Sequence, residues 1–323
     1  KPGFPVGGGI EFKTGLYYEP EACCAHTGAG DLFVWRADKL LTDFPKLPGL
    51  YYDICEGRLC WNTLHGCGGT DAFGNAYGSS NLLTHRDYFI RLKRVLEKHG
   101  KDKILFLHAH NRFSPFTHGI GDYWLPGEQY ADAITQNPEH FYCENIPAGE
   151  YQSAYYTPIH GSGVVFMSVY QITMWRLKLK ENYYAPRYAL SMLTPALLHD
   201  MNISNCYINH KTVERWWIIK HDINLADAKF HGYWFSGAVR SDSGKVYVSW
   251  YEWEKPSPYS RLLIVGNTGR KEQPAALKID WKKLGLAPEK ARLHDLWENR
   301  EISSLDSLRV KGNNFLLIGI TAK

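Results

Sequence analysis

The pattern of apolar and polar positions changes near residue 230. Before that point, continuous apolar runs alternate with helical patterns. Residues 84–99 form an amphipathic helical pattern that Gly100 ends, and residues 103–110 form an apolar run typical of a buried parallel strand. A shorter apolar strand lies at residues 49–53. The order strand, helix, strand predicts a βαβ unit.

Other segments before residue 230 extend this pattern. Helical patterns cover residues 31–44, 189–199 and 212–221, and further apolar runs cover residues 15–18 and 163–170. The glycine-rich stretch 55–80 is predicted to be a long polar loop.

After residue 230 the chain contains short alternating strands separated by turn signals. They lie at residues 246–251, 261–265, 276–279, 291–294 and 314–318. The sequence therefore predicts the α/β fold class. We expect a (β/α)8 TIM-type barrel in residues 1–230, followed by a C-terminal antiparallel β-sandwich domain in residues 231–323.

The barrel is expected to be incomplete in this chain. About five or six barrel strands can be placed, whereas a closed barrel has eight. The chain begins Lys1-Pro2-Gly3 without an initiator methionine. We therefore expect upstream strands, and upstream domains of the same polypeptide, to come from sequence that is not present here.

Charge and hydropathy exclude two classes of partner. Lys and Arg number 37 against 33 Asp and Glu, a formal net charge of +4, which gives no electrostatic argument for nucleic acid. No apolar run reaches the ~18 residues of a membrane helix, so no membrane span is predicted. The 11 Trp, 21 Tyr and 14 Phe are numerous; most would fill cores, and those in loops would suit stacking on sugars.

The cysteines predict neither a metal site nor a cofactor. The seven are Cys23, Cys24, Cys55, Cys60, Cys67, Cys143 and Cys206. Their spacing matches no zinc-finger pattern. Mostly buried free thiols are expected, and one or two disulfides are the alternative if the protein is exported.

Asp53 is the first candidate for chemistry. It follows the apolar strand at residues 50–52, and catalytic groups of βα barrels lie at the carboxyl ends of strands. We predict that it acts as a nucleophile or an electrostatic stabiliser at the barrel mouth. A helix-capping or loop-anchoring carboxylate is the structural alternative.

Glu128 is the second candidate, because aromatic residues, a proline and a glycine surround it. Partial burial among such groups raises a carboxyl pKa, which suits a general acid/base. Cleavage of a glycosidic bond needs two carboxyl groups, so Asp53 and Glu128 are the predicted catalytic pair. A carboxylate at a helix N-terminus is the structural alternative for Glu128. The reserve acids are Asp122, Asp71, Glu56 and Asp200.

Histidines near the predicted strand end form a rival set. His108 and His110 alternate at the end of the apolar run, so their rings point the same way. A zinc-dependent hydrolase could use such a pair, but a catalytic zinc needs three ligands and no third has a recognisable spacing. We therefore predict sugar contacts and no metal. The full set of predicted substrate contacts is His65, His108, His110, Arg112, Trp124, Trp61 and Asp71.

Several segments together resemble a known family. They are Gly49-Leu-Tyr-Tyr-Asp53, residues 60–71, Arg86, His108-Ala-His110 and Pro126-Gly-Glu128-Gln-Tyr. The chain resembles an uncharacterised family of bacterial glycoside-hydrolase-like TIM-barrel proteins that is distantly similar to the family 123 β-N-acetylgalactosaminidases. That resemblance covers about residues 10–230, and residues 294–301 resemble the C-terminal β domains of many barrel glycosidases.

The resemblance implies larger proteins with β-sandwich domains before and after the barrel. Family 123 enzymes carry an adjacent Asp-Glu pair for substrate-assisted catalysis, and this sequence contains no Asp-Glu dipeptide. The pair of Asp53 and Glu128 therefore rests on the residues themselves and not on the family.

The predicted function is hydrolysis of a glycosidic bond in an extracellular or periplasmic glycan, without a cofactor. One alternative is a non-catalytic glycan-binding protein on a barrel scaffold, which would keep the aromatic residues without using the carboxylates. The other is a metal-dependent hydrolase that uses the histidines as ligands.

Overall fold

The structure is a computed structural model in which the chain forms two compact units. It describes residues 10–11, 17–18, 24–53, 55, 57, 59–108, 114–156, 161–170, 184–235, 237–254 and 257–322. The first unit comprises residues 1–126 and 160–163, and the second comprises residues 127–159 and 164–323.

The first unit combines helices with parallel and antiparallel strands. Its elements are β1 (Ile10–Glu11), β2 (Tyr17–Tyr18), α1 (Gly28–Asp43), β3 (Gly49–Tyr52), β4 (Leu59–Cys60), β5 (Gly68–Thr70), β6 (Ala76–Ser80), α2 (Leu82–His99), β7 (Ile104–His108) and β8 (Tyr123–Leu125). Strands β3, β7 and β8 are neighbours and run parallel. The predicted βαβ unit is therefore present as β3, α2 and β7. Within the predicted strand at residues 15–18, residues 17–18 form β2, which pairs antiparallel with β1, and residues 15–16 lie outside the described residues.

Burial explains why α2 packs on one face of these strands. Phe89, Leu92 and Leu96 are the buried stripe of α2, and Leu105 and Leu107 of β7 are fully buried. Close approach of β3 to β7 requires a glycine at residue 49, because a Cβ there would lie 2.0 Å from the carbonyl oxygen of Ile104. Burial of this apolar face stabilises the unit.

The stretch 55–80, predicted to be a polar loop, contains a small antiparallel sheet. Its strand order is β4-β6-β5, with Leu59 opposite Ser80 and Gly68 opposite Gly78. The prediction of a loop was wrong because these strands carry glycine and serine where strand patterns need β-branched or apolar residues. Most of their side chains are exposed or half-buried.

The end of β7 is held by a buried polar network. The N–H and the S–H of Cys55 both donate to the carbonyl oxygen of His108, at 3.0 and 2.9 Å. The backbone N–H of Ser114 donates to Nδ1 of His118, which leaves the proton on Nε2, 3.1 Å from the Cys55 sulfur. Burial lowers the pKa of His118 to about 4, so this ring is neutral near pH 7.

The second unit contains the remaining elements. Apart from Gly163, they are α3 (Phe141–Glu144), α4 (Ala148–Glu150), β9 (Gly163–Phe166), α5 (Pro186–Leu198), β10 (Asn202–Ile203), α6 (His210–Asp222), β11 (Ala228–His231), β12 (Val239–Ser241), β13 (Val246–Trp253), β14 (Arg261–Asn267), β15 (Gln273–Pro274), β16 (Leu277–Ile279), α7 (Trp281–Leu284), β17 (Ala291–Asp295), β18 (Arg300–Ile302), β19 (Arg309–Val310) and β20 (Asn314–Ala322). Strands β9 and β10 run parallel.

An antiparallel sheet dominates the C-terminal part. Its strand order is β11-β13-β14-β20-β17-β18, and β12 with β16 and β15 with β19 form two further pairs. Val248, Leu263 and Ile318 belong to one buried core shared by these sheets. Helix α5, which contains Pro195, lies against β14, where a Cβ at Gly266 would come 2.7 Å from Leu198.

The α/β class, the parallel strands and the C-terminal antiparallel sheet are confirmed. The closed or incomplete barrel, the sandwich and the domain boundary near residue 230 stay predictions. In the part of the chain that the structure describes, no helix combines the length and the apolar character needed to cross a bilayer.

Asn267 at the end of β14 is expected to be a stability determinant. Its fully buried amide donates to the carbonyls of Lys271 and Val310 and accepts from the N–H of Gly269, each at 2.9 Å. Asn267→Ala should lower the free energy of unfolding by about 2–4 kcal/mol, because buried backbone groups lose their partners. Urea unfolding measures the change. Thr268→Ala, which removes one exposed 3.4 Å contact, is the control and should change little.

Acid should destabilise the fold partly through His118. Its folded pKa of about 4 lies below the 6.5 of an unperturbed histidine, so the unfolded chain binds the proton first. The contribution of neutral His118 is complete above pH 6.5 and is lost as the pH falls through 4. His118→Gln should therefore reduce the loss of unfolding free energy between pH 7.5 and pH 5 by about 2 kcal/mol.

Urea unfolding at the two pH values, compared with the wild type, tests this expectation. His221→Gln is the matched control, because that side chain is 89% exposed. It should keep the wild-type pH dependence. An unchanged pH dependence in His118→Gln would contradict the assignment.

Candidate functional site

The strand register brings Asp53 and His108 together. Tyr52 is paired with Leu107 in the parallel pair β3 and β7, so the next residue of each strand, Asp53 and His108, lies at the same edge. This edge is formed by the carboxyl ends of both strands, where catalytic groups of βα folds are found.

Three groups meet at this edge. The Oδ1 atom of Asp53 lies 2.5 Å from Nδ1 of His108. The hydroxyl of Tyr51 lies 2.8 Å from the same Nδ1 and donates to Oδ1 of Asp53 at 3.2 Å. The side chain of His108 is 6% exposed and that of Asp53 is 47% exposed. The carboxylate is therefore open to solvent while the imidazole beside it is nearly dry.

Proton positions follow from these contacts. A carboxylate only accepts hydrogen bonds, so Nδ1 of His108 carries the proton that points to Asp53. In the neutral ring the lone pair then lies on Nε2. The Nδ1–H of His108 and the hydroxyl of Tyr51 both donate to Asp53 and orient it. The group can thus offer a fixed, half-exposed carboxylate, which the buried imidazole positions.

The same face of the strands carries a row of aromatic rings. Tyr51 is paired with Phe106, and Phe106 with Tyr123, and the ring centroids lie 5.7 and 6.2 Å apart. Side chains two residues apart on a strand share a face, so Asp53 and His108 continue this face. Tyr51 is 53% exposed. The opposite face packs on α2. The open face therefore combines aromatic surface with a carboxylate, which suits a sugar ring.

Glu128 lies in the second unit, so its predicted pairing with Asp53 stays a prediction. It begins a 3-10 turn, Glu128–Tyr130, directly after Gly127, whose φ is +131°. A Cβ at Gly127 would lie 1.9 Å from the carbonyl oxygen of Met167, so only glycine fits there. Glu128 is half-buried.

A second carboxylate occurs near this turn. The hydroxyl of Tyr130 donates to Glu150, and the hydroxyl oxygens of Tyr130 and Tyr155 lie 2.6 Å apart. Burial raises the pKa of Tyr130 far above its usual range, so its hydroxyl keeps its proton. Sequence reasoning did not consider Glu150, because nothing in the local pattern distinguishes it from a surface acid.

The predicted aromatic contacts differ in exposure. Trp124 is 2% exposed and packs on His118, with ring centroids 5.5 Å apart. Trp61 is 57% exposed, and its ring lies against Gly78. A sugar needs an accessible ring face, which Trp61 offers. The sugar-binding roles of both residues stay predictions.

The predicted polar substrate contacts Asp71 and His65 each have a partner close to them in sequence. Asp71 accepts the N–H groups of Asn75 and Phe73 at 2.8 and 2.9 Å in the turn between β5 and β6, and these hydrogen bonds, that from Asn75 above all, lower its pKa. Nε2 of His65 lies 3.2 Å from the sulfur of Cys60. Sugar contacts by Asp71 and His65 stay predictions. His110 and Arg112 lie outside the described residues.

Two reserve acids have contacts of their own. Asp122 pairs with Lys93 at 2.5 Å and accepts the N–H of Leu105 at 2.7 Å, which links α2 to β7. Asp200 accepts the hydroxyl of Tyr251 at 2.7 Å, and burial raises its pKa. Glu56 lies outside the described residues.

Sequence reasoning missed Tyr51 as a site residue. The signal was present, because Tyr51 and Asp53 stand two residues apart on one strand, as Phe106 and His108 do on the next. Reading both strands with period two places all four side chains on one face.

Solved structures give distant likenesses. A GH27 β-L-arabinopyranosidase from Geobacillus stearothermophilus is 10% identical at a TM-score of 0.44, with 91% of this chain and 62% of that chain covered. A pullulanase complexed with maltotriose, from Anoxybacillus sp. LM18-11, is 7% identical at 0.49, with 91% and 45% covered. An α-galactosidase with raffinose, from Saccharomyces cerevisiae, is 8% identical at 0.33, with 93% and 96% covered. Similarity at this level does not establish a common fold.

This chain thus spans 62% and 45% of the first two structures. No curated protein sequence matches it. A family comparison does match: residues 212–320, from α6 to β20, fit the C-terminal domain of glycoside hydrolase 123. The match covers the C-terminal part and leaves the motifs of residues 10–230 as a prediction. It confirms that the chain resembles glycoside hydrolase family 123.

Proposed function

We propose that the protein is a glycoside hydrolase that cleaves a glycosidic bond in a glycan. The observation that carries the proposal is the carboxylate of Asp53, which is half exposed at the carboxyl end of β3 and held by Tyr51 and His108. The match of residues 212–320 to a glycoside hydrolase domain supports the same class. An extracellular or periplasmic location and upstream domains are part of the proposal.

The chemistry of glycoside cleavage explains the role of each group. The transition state resembles an oxocarbenium ion, so it is stabilised by an ionised carboxylate near the anomeric carbon. Asp53 supplies this carboxylate, and the donors beside it orient it. Tyr51 supplies an exposed aromatic face for the sugar ring. The proton donor is Glu128, and this assignment rests on the sequence.

A glycan-binding protein without activity is the second candidate. The open aromatic face beside Asp53 favours it too, because carboxylate and imidazole groups bind sugar hydroxyls without any bond being broken. Turnover distinguishes the two candidates: binding of glycans without release of any product would support the second.

Asp53→Asn should abolish most of the hydrolysis. The substitution keeps the size of the side chain and removes the charge that stabilises the transition state, so kcat should fall at least ~100-fold. The assay uses the full chain with a panel of 4-nitrophenyl glycosides that includes the β-N-acetylgalactosaminide. Asp87→Asn is the control, because that carboxylate lies in the same unit and is 71% exposed. Equal rates for Asp53→Asn and wild type would refute the assignment.

Glu128→Gln tests the proton donor. A general acid typically contributes ~100- to 10,000-fold, and its loss matters less when the leaving group is already a weak base. We therefore expect a fall of at least ~100-fold with a poor leaving group and a much smaller fall with a dinitrophenyl glycoside. Glu289→Gln, an exposed acid of the same unit, is the control. An equal loss with both leaving groups would contradict the role of Glu128.

A further inference from the structure

A group of sulfur and nitrogen atoms converges in the first unit, outside the site of Asp53. Four side chains place one ligand atom each within 4.8 Å of one another, and together they form the thiol–imidazole cluster: Cys24, Cys60, His65 and Cys67. Cys24 and Cys67 are buried, and the other two are half-buried. The cluster is thus partly shielded from solvent.

The distances fit a tetrahedral ion. Zinc bonds of about 2.3 Å to sulfur and 2.0–2.1 Å to nitrogen imply ~3.8 Å between two sulfurs and ~3.6 Å between sulfur and nitrogen. The sulfurs of Cys24 and Cys67 are 3.9 Å apart. The sulfur of Cys60 and Nε2 of His65 are 3.2 Å apart. Small shifts of the side chains would give all four atoms tetrahedral positions around one ion.

The backbone holds three of these side chains in one tight loop. A 3-10 turn, Thr63–His65, ends at Gly66 with φ of +78°, which reverses the chain between two ligands. The carbonyl oxygen of Asn62 accepts the N–H groups of Cys67 and Gly68 at 3.2 and 3.0 Å. The loop is therefore shaped independently of any ion.

The fourth side chain comes from a distant part of the chain. Cys24 precedes α1, and its carbonyl oxygen accepts the hydroxyl of Thr27, the N-cap residue of that helix. An ion held by the cluster would therefore tie the start of α1 to the connection between β3 and α2. Asp53 is the first residue of that connection.

The small sheet in this connection buries little of its apolar surface. Leu59, Trp61, Leu64, Phe73 and Tyr77 are all exposed, by 50–94%. Sheets without a core need another source of stability, and bound zinc supplies it in small domains. Packing alone therefore does not explain how this segment is held.

The protonation of the thiols sets a condition on binding. A metal ion binds cysteine as the thiolate, so the affinity of the cluster for a metal ion should rise with pH. Three thiolates, a neutral imidazole and a divalent cation leave a site of charge about −1.

We propose that the thiol–imidazole cluster binds a structural zinc ion. Sulfur and imidazole ligands in a tetrahedral arrangement select zinc among the common divalent ions, and four protein ligands leave no open position for a substrate. The role is therefore structural. The proposal departs from the sequence expectation of no metal, and it does not depend on the proposed glycosidase activity.

Metal analysis of the full chain tests the proposal. The protein is produced with zinc, kept reduced and desalted, and its zinc content is measured by plasma mass spectrometry. We expect about one zinc per chain in the wild type and a loss of most of it in Cys60→Ser and His65→Gln. Cys206→Ser is the matched control, because Cys206 is exposed and lies outside the cluster. It should keep the zinc.

A second measurement does not depend on the folding of the variants. The wild type is stripped with a chelator and given cobalt, which should produce sulfur-to-cobalt charge transfer and the visible bands of tetrahedral cobalt. Removal of the ion should also lower the Tm. The proposal is overturned by a wild type with less than ~0.1 zinc per chain, by octahedral cobalt, by zinc that Cys60→Ser retains, or by a disulfide between Cys24 and Cys67.

Discussion

The parallel pairing of β3 with β7 is the constraint on which the candidate site of the first unit depends. It places Asp53 beside His108 and Tyr51 beside Phe106, although the two residues of each pair are far apart in the sequence. A slip of one residue would turn the carboxylate to the face that packs on α2. The close approach of the two strands at residue 49 requires a glycine, because a side chain there would meet the backbone of β7.

The end of β7 is held by hydrogen bonds that the surrounding protein keeps dry. Cys55 donates twice to the carbonyl of His108, and neutral His118 lies against its sulfur. Unpaired polar groups would be costly in such surroundings, so the network specifies one position for the strand end. The Cys55 thiol donates a hydrogen bond to a carbonyl oxygen and lies beside the neutral ring of His118, an arrangement that suits a positioning role rather than that of an activated nucleophile. Its contribution is to position His108.

Much of the fold was predictable because the apolar pattern is local. The helix predicted at residues 84–99 is α2, Leu82–His99, and the alternating strands after residue 230 form the antiparallel sheet. The sheet within residues 55–80 was not predictable, because its strands have no buried face and thus no period-two signal. Asp53 and His108 were found from their places at strand ends, whereas Tyr51 needed the register of two strands to be read together.

The thiol–imidazole cluster could not be predicted from the spacing of its residues in the sequence. Three of its members stand within eight residues, but Cys24 lies outside any spacing that identifies a zinc motif. Folding of α1 beside the connection after β3 is what adds the fourth atom. Strand pairing and the cluster thus stabilise different parts of this connection. The pairing of β3 with β7 fixes its beginning, where Asp53 lies, and the cluster holds the part that has no apolar core. Packing and hydrogen bonds hold the carboxylate, and ion binding would act on the loop beyond it.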